Sequence, residues 1–217
     1  MTSPVIDART APLEEVLEAA ARTVFGGGLL IFPTDTVYGV GCDPYDAAAV
    51  ARIYGAKHRP GSKPLTFHLA SAQEFLEYAR EDPLAIRAAR RLLPGPVTLI
   101  IRKPHFVSEQ VTAGLQTLGF RVPDDPLCRA ILERCGPLAA TSANRSGEQA
   151  YRGDGDYEGL PEVDLIVENG PTRYRRESSV VDLTGPRPRL LRAGVLDAER
   201  LSEALGVDVL APAESPG

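Results

Sequence analysis

The chain of 217 residues has no tryptophan, one methionine and three histidines, and aromatic residues make up only 6% of it. So few aromatics, with no stacking-rich RNA motif, argue against sequence-specific readout of RNA. Basic residues are outnumbered 24 to 29, and a net charge of −5 gives no global field for nucleic acid or an anionic membrane. Any polyanion site must therefore be a local cluster. No apolar run approaches the roughly 20 residues that a membrane span needs. The opening MTSPVIDART lacks the basic-then-apolar order of a signal peptide. Cys42, Cys128 and Cys135 are odd in number and form no CxxC pair, which argues against a disulfide framework and for a reducing, cytoplasmic setting.

Several common signatures also fail. GVGCDP (39–44) lacks the third glycine of a dinucleotide loop, and no G-x-x-x-x-G-K-[ST] phosphate loop or G-x-S-x-G elbow occurs. DGDYEG (154–159) imitates the start of a calcium loop, but position twelve would be Leu165 where a bidentate carboxylate is required. His58, His68 and His105 share no metal-ligand spacing with each other or with the cysteines, so no metal ligands are assigned.

What is present is an ordinary globular composition, 43% hydrophobic and 24% charged, in a chain long enough for one domain with a real core. Residues 12–25 carry a helical apolar stripe that ends at Gly26-Gly27-Gly28. LLIFP (29–33) reads as a buried strand. Asp46 caps a helix over AAAVARIYGA, Ser71 with Glu74 forms a capping box, and Asp82-Pro83 opens a helix through Leu93. LTFHL (65–69), VTLIIR (97–102), TLGFRV (117–122), LAAT (138–141), DLIVE (164–168), SVVDL (179–183) and RLLR (189–192) read as strands, with a polar loop between the second and third of these. PLCRAILERC (126–135) and the residues after Asp197 read as helices, and APAESPG as a frayed tail. Interleaved helices and strands predict an α/β or α+β fold, a twisted open mixed sheet flanked by helices.

Three segments carry chemistry. PTDTVYGVG (33–41) places small hydroxyl residues and glycines after a strand, where open α/β sheets bind ligands; a tight turn with Thr34 or Asp35 making local hydrogen bonds is the plainer reading. KHRPGSKPLTFHL (57–69) gathers Lys57, Arg59 and Lys63 on a backbone stiffened by Pro60 and Pro64. Such pre-ordered cations suit an anion clamp, but by composition a solvated loop is equally well supported. ATSANRSG (140–147) offers Ser142 and Asn144 on a loop, with a capping or turn role as the alternative.

Together, in this order and with LLPGPVTLII and GFRVP, these segments resemble the YrdC-like family of threonylcarbamoyl-AMP synthases over about residues 15 to 195. The resemblance implies the YrdC-like (DHBP synthase-like) fold with a concave, positively charged site, a catalytic domain over 1–195, and a C-terminal helix and tail over 196–217. It implies a nucleotidyltransferase that makes threonylcarbamoyl-AMP and pyrophosphate from L-threonine, bicarbonate and ATP with Mg²⁺. The product passes to a separate threonylcarbamoyl transferase acting on tRNA, with weak direct contact to tRNA left open. By position, Lys57 and Arg59 are implied to be catalytic. Arg59, Lys63, Thr117, Ser142, Asn144, Ala150 (through its backbone) and Arg192 match nucleotide contacts. Thr36, His68, Arg121, Ala140 and Ser178 match the threonine pocket. The chain ends about 20 residues after LLRAG, which on this resemblance implies a form without the second domain of some members. An RNA-binding module, or a YciO-like or carbamoyl-adenylate paralogue on the same fold, are the competing readings.

Overall fold

Two periodicities alternate along the chain, and the computed structural model, which describes residues 3–79 and 81–212, follows them closely. In chain order the elements are β1 (Val5–Asp7), α1 (Leu13–Phe25), β2 (Leu30–Phe32), β3 (Gly39–Cys42), α2 (Ala47–Ala56), β4 (Thr66–His68), α3 (Ala72–Tyr78), α4 (Pro83–Leu92) and β5 (Val97–Arg102). They continue with α5 (Glu109–Thr112), β6 (Thr117–Arg121), α6 (Pro126–Cys135), β7 (Leu138–Ser142), β8 (Leu165–Glu168), β9 (Ser179–Asp182), β10 (Arg189–Arg192) and α7 (Ala198–Leu205).

Capping chemistry sets the helix starts. The Asp46 carboxylate accepts from the amides of Ala48 and Ala49, Asp82 from Leu84 and Ala85, and Asp197 from Arg200, each satisfying orphan donors of a first turn. At α3 the capping box is displaced: Ser71 Oγ accepts from Glu74 N as expected, but the Glu74 carboxylate reaches Ala70 N instead of Ser71 N. Pro83 and Pro126 stand in first turns, where no amide donor is needed. Residues 213–217 of the expected APAESPG tail lie outside the described residues.

The ten strands form one mixed sheet in the order β1-β8-β2-β3-β7-β4-β6-β5-β9-β10. Three elements depart from the sequence reading. GVGC forms strand β3, hydrogen-bonded antiparallel to β2 and β7, and not part of a loop. Val5–Asp7 adds in parallel to β8, and the segment between β5 and β6 contains the single-turn helix α5. β3 has glycine because the Phe32 ring lies across it: a Cβ on Gly39 would stand 3.0 Å from that ring.

The two faces are covered unequally. On one, α2, α3, α4 and α7 bury Ile53, Phe75, Ala85, Ala88 and Leu201 against Ile31, Val40, Phe67, Leu99, Phe120 and Val181. On the other, α1 and α6 pack Val16, Ala20, Ile131 and Leu132 over Leu30, Phe32 and Leu138. No residue of β5, β6, β9 or β10 joins that second core. Beyond β7, then, this face lies outside the layer that α1 and α6 form, and the cavity described below occupies it. No helix among the described residues is long and apolar enough to cross a membrane.

The long connection from β7 to β8 is tied down by a buried carboxylate. Glu168 accepts from Tyr38 Oη at 2.9 Å, Tyr151 Oη at 2.5 Å, Tyr157 Oη at 3.3 Å and Gly170 N at 2.7 Å. Replacing Glu168 by alanine strips the shared acceptor from these donors. Unfolding free energy in urea is expected to fall by about 3 kcal/mol, since each buried donor left without an acceptor costs about 1–3 kcal/mol. A calorimetric melting temperature about 6–12 °C lower should accompany it.

Candidate active site

The uncovered face carries a cavity of about 490 Å³. Its floor is a single row across four strands, with Ala140 opposite Thr66, Thr66 opposite Gly119 and Gly119 opposite Ile100. Small residues keep this floor low. A Cβ on Gly119 would lie 3.1 Å from Thr98 Cγ2 and 3.4 Å from Thr66 Oγ1.

One wall is the KHRPGSK loop. Helix α2 ends at Lys57, and His58 takes a left-handed conformation (φ 49°) that turns the chain back. The Arg59 guanidinium is braced by the carbonyls of its own loop, donating from Nε to Lys63 O at 3.1 Å and from Nη2 to Pro64 O at 2.7 Å. Burial lowers the Arg59 pKa from its ordinary value. Lys57 is placed differently from a free phosphate clamp. Its side chain is 1% exposed, and Nζ donates to Ser142 O, to Asn144 O at 2.5 Å and to Asn144 Oδ1 at 3.3 Å. All three ammonium donors are thus taken. Burial, then the neighbouring Arg59, pulls the Lys57 pKa down to about 7.

The facing wall is the S-A-N loop, which Lys57 holds. Ser142 Oγ donates to Asn144 Oδ1 at 2.6 Å, Asn144 Nδ2 donates to Arg145 O and Glu148 O, and Ser146 N donates to Lys57 O. The two sequence motifs are therefore one hydrogen-bonded unit.

At the inner end stands Arg121, directly opposite His68 in the β4–β6 pairing. Arg121 Nη2 is 2.6 Å from Asp35 Oδ1 and 3.5 Å from Thr34 Oγ1. His68 is buried with its ring edge-on to Phe32, and Nδ1 lies 3.4 Å from Thr66 O. Burial, and then the Arg121 charge, lowers the His68 pKa to about 3, so its imidazole is neutral at neutral pH.

At the outer end β10 delivers Arg192. A bulge between Leu190 and Arg192 sets Arg192 opposite Val180, a cavity-wall residue, while Leu190 stays buried in the core opposite Val181. Arg192 Nη1 pairs with Glu177 at 3.0 Å and Nη2 donates to Ser178 O at 3.0 Å; the Ser178 hydroxyl lies 3.0 Å from Thr98 Oγ1.

Of the residues singled out in the sequence, Lys57, Arg59, Lys63, His68 and Arg121 reach the cavity wall, as do Ala140, Ser142, Asn144, Ser178 and Arg192. Three stand off it. Thr36 is wholly buried behind Thr34, with its hydroxyl 3.1 Å from Thr34 Oγ1. Thr117 lies two residues beyond Gly119 at the start of β6, paired with Arg102. Ala150 follows the loop past Glu148, which is on the wall. The sequence reading passed over Thr98, Glu148 and Glu177 on the wall, and did not connect Asp35 to Arg121. Asp35 and Glu177 do adjoin chosen residues, but only the fold reveals which arginine each one meets. Among the described residues no three His, Cys, Asp or Glu side chains converge as a metal nest. The wall carries two carboxylates, Glu148 and Glu177, of which Glu177 is paired with Arg192, and no step is assigned to a protein-held Mg²⁺.

Arg59, Lys63, Arg121 and Arg192 all line this one cavity, above a floor of hydroxyls and bare backbone, with Arg121 paired to Asp35 and Arg192 to Glu177. Such a lining can receive anionic groups through charge and positioning. The fold and site thus define an α/β protein with a cavity on its half-bare sheet lined by arginine and lysine side chains.

The chain belongs to the Sua5/YciO/YrdC family: the family model described as "Telomere recombination" matches residues 23–194. It is 37% identical over 215 residues to the threonylcarbamoyl-AMP synthase of Pyrococcus abyssi (strain GE5 / Orsay), which covers 96% of this chain and 63% of that protein. It is also 37% identical over 194 residues to the threonylcarbamoyl-AMP synthase of Bacillus subtilis (strain 168), covering 86% of this chain and 56% of that one. The crystal structure of P. abyssi Sua5 complexed with L-threonine superposes with a TM-score of 0.85 at 34% identity, over 100% of this chain and 67% of that chain. The chain thus spans less than two thirds of the length of both curated relatives.

The buried His68 makes a pH prediction. In the unfolded chain a histidine protonates near pH 6.5, whereas the folded site keeps His68 neutral down to about pH 3. Between these values the unfolded state binds the extra proton, so stability falls as pH falls through the window, by up to about 1.4 kcal/mol per pH unit. Urea titrations of His68→Leu over the same range should show a slope shallower by one proton.

Proposed function

We propose that the protein is an L-threonylcarbamoyladenylate synthase, converting L-threonine, bicarbonate and ATP to threonylcarbamoyl-AMP and pyrophosphate. The observation that carries this reading is the gathering of Arg59, Lys63, Arg121 and Arg192 on the wall of one cavity, in a chain of this family. The threonine complex of the P. abyssi relative supports an amino-acid subsite in the same fold.

In this reading Arg121 holds the threonine carboxylate, with Ala140 and Ser178 nearby and Thr36 supporting from behind. His68 is neutral there, so it offers the amino acid a hydrogen-bonding wall without a second positive charge. The α-amine attacks bicarbonate, forming a carbamate and releasing water. A carbamate oxygen then displaces pyrophosphate from the α-phosphate of ATP, giving the mixed anhydride. Nucleophile and nucleotide are both anionic, so the chief demand is neutralisation of charge. Arg59 is pre-aimed for it by its own loop carbonyls, and Lys63 and Arg192 add to it. Ser142 and Asn144 contact the nucleotide from a loop whose shape Lys57 holds. Mg²⁺ enters with ATP, carried by phosphate oxygens and water. The product goes to a separate threonylcarbamoyl transferase acting on tRNA, in a cytoplasmic setting.

Pyrophosphate release should require L-threonine and bicarbonate together, and Arg59→Ala should lower kcat/KM at least 10²-fold while leaving the melting temperature near wild type. Turnover indifferent to threonine would point to a paralogue with another acceptor. Salt-resistant RNA binding without ATP turnover would point to a binding module.

A further inference from the structure

Among the buried ionisable groups, Asp35 lies off the cavity wall yet bonds a residue on it. Its side chain is 0% exposed, and its one bond is the 2.6 Å contact from Oδ1 to Arg121 Nη2. Two buried polar atoms at this pair, Asp35 Oδ2 and Arg121 Nε, have no hydrogen-bond partner among the described residues. Elsewhere the same chain makes a complete arginine–carboxylate pair: Arg9 donates from Nε to Asp7 Oδ1 at 2.8 Å and from Nη2 to Asp7 Oδ2 at 2.7 Å. A buried pair serving stability alone would close side-on in that way, because each unmet buried donor or acceptor costs about 1–3 kcal/mol. The Arg121–Asp35 contact is instead a single one, through Nη2, and it leaves Nε without a partner among the described residues in an arginine that lines the cavity.

The backbone holds Asp35 in place. Tyr174 N donates to Asp35 O at 2.9 Å, and Thr36 N donates to Thr34 Oγ1 at 3.1 Å, so the carboxylate is pinned between two fixed turns. Arginine recognises a carboxylate through parallel N–H bonds in one plane, and a guanidinium free to turn about its long side chain would lose that alignment. We propose that Asp35 is a positioning residue: it grips one nitrogen of Arg121 from behind, sets the plane of the fork, and thereby fixes the affinity for an amino acid's carboxylate without touching it. This rests on the reading of Arg121 as the carboxylate-binding group. Asp35 also offsets the Arg121 charge when no ligand is bound, which allows a guanidinium to stand ready next to an uncharged histidine.

The test is calorimetric titration of the full chain with L-threonine alone and with ATP alone. Asp35→Ala should raise the threonine Kd at least tenfold and leave the ATP Kd within twofold. Asp35→Asn, which keeps an oxygen in the Oδ1 position, should restore the threonine Kd to within threefold of wild type. Asp35→Ser carries the same expectation as the alanine variant should that one not fold. A threonine Kd unchanged in Asp35→Ala, an Asp35→Asn variant as weak as Asp35→Ala, or equal losses for threonine and ATP would each overturn the proposal. Arg121→Ala separates the two levels: if it binds threonine like wild type, the reading of Arg121 fails, whatever Asp35 does.

Discussion

The site depends on one buried ammonium. Taking a lysine charge out of water costs several kcal/mol, and only oxygens placed to receive its protons can offset that. Lys57 meets part of this cost through Ser142 O, Asn144 O and Asn144 Oδ1, three acceptors on a loop about 85 residues away in sequence, and burial still draws its pKa down to about 7. The two walls of the cavity therefore stand or fall together. With the S-A-N loop displaced, Lys57 would be an uncompensated buried charge; without Lys57, two carbonyls and an amide oxygen would lose their donor. The residue that the family resemblance casts as catalytic binds the protein to itself, which leaves Arg59, Lys63 and Arg192 as the more accessible cations of the cavity.

Around that fixed junction the sheet supplies position at little cost in flexibility. Ala140, Thr66, Gly119 and Ile100 face the cavity because strand register puts them in one row, and register is set by the opposite face, where Phe67, Phe120 and Leu99 must enter the larger core. A one-residue slip would send Arg121 into the helices and Phe120 into the trough. The same rule would put Leu191 opposite Val180, and the bulge in β10 is the local exception that brings Arg192 there instead.

Much of this was legible in the chain, and the reasons are local. Asp46, Asp82 and Asp197 announce helix starts through side chains acting on amides two or three residues away, and β5, α6 and β10 appear with the bounds their patterns suggest. The mixed, helix-flanked sheet followed from the alternation of such segments, and ten of the residues named from the sequence meet at one cavity. What stayed hidden is held by distant partners. β3 has two glycines in four residues and no intrinsic strand preference, and it is a strand only because β2 and β7 pair with it. β1 exists through β8, whose paired residues lie 161 positions on (Val5 opposite Ile166). Asp35 in PTDTVYGVG looks like a turn residue because its partner, Arg121, is 86 residues away. Thr36 and Thr117 show the reverse limit: motif position places a residue near a site but does not say whether its side chain faces the ligand or supports the one that does.

On the proposed reading, the single cavity shared by Arg121, Arg59 and Arg192 bears on the order of the chemistry. A carbamate reverts readily to amine and carbon dioxide, so an enzyme that made it in one place and adenylated it in another would lose most of it in transit. Here one uninterrupted trough joins Arg121 to Arg59 and Arg192, with no side chain larger than threonine on the central strands of the floor at Ala140, Thr66 and Gly119. On that reading, threonine anchored by its carboxylate at Arg121 would present its amine within the cavity that also takes the nucleotide, and the carbamate would form beside the α-phosphate. Proximity of this kind contributes up to roughly 7–11 kcal/mol to lowering a barrier, more than a single acid or base would add. On the proposed reading, a site rich in fixed donors, with its histidine neutral and buried, favours keeping a short-lived anion in place over moving protons quickly.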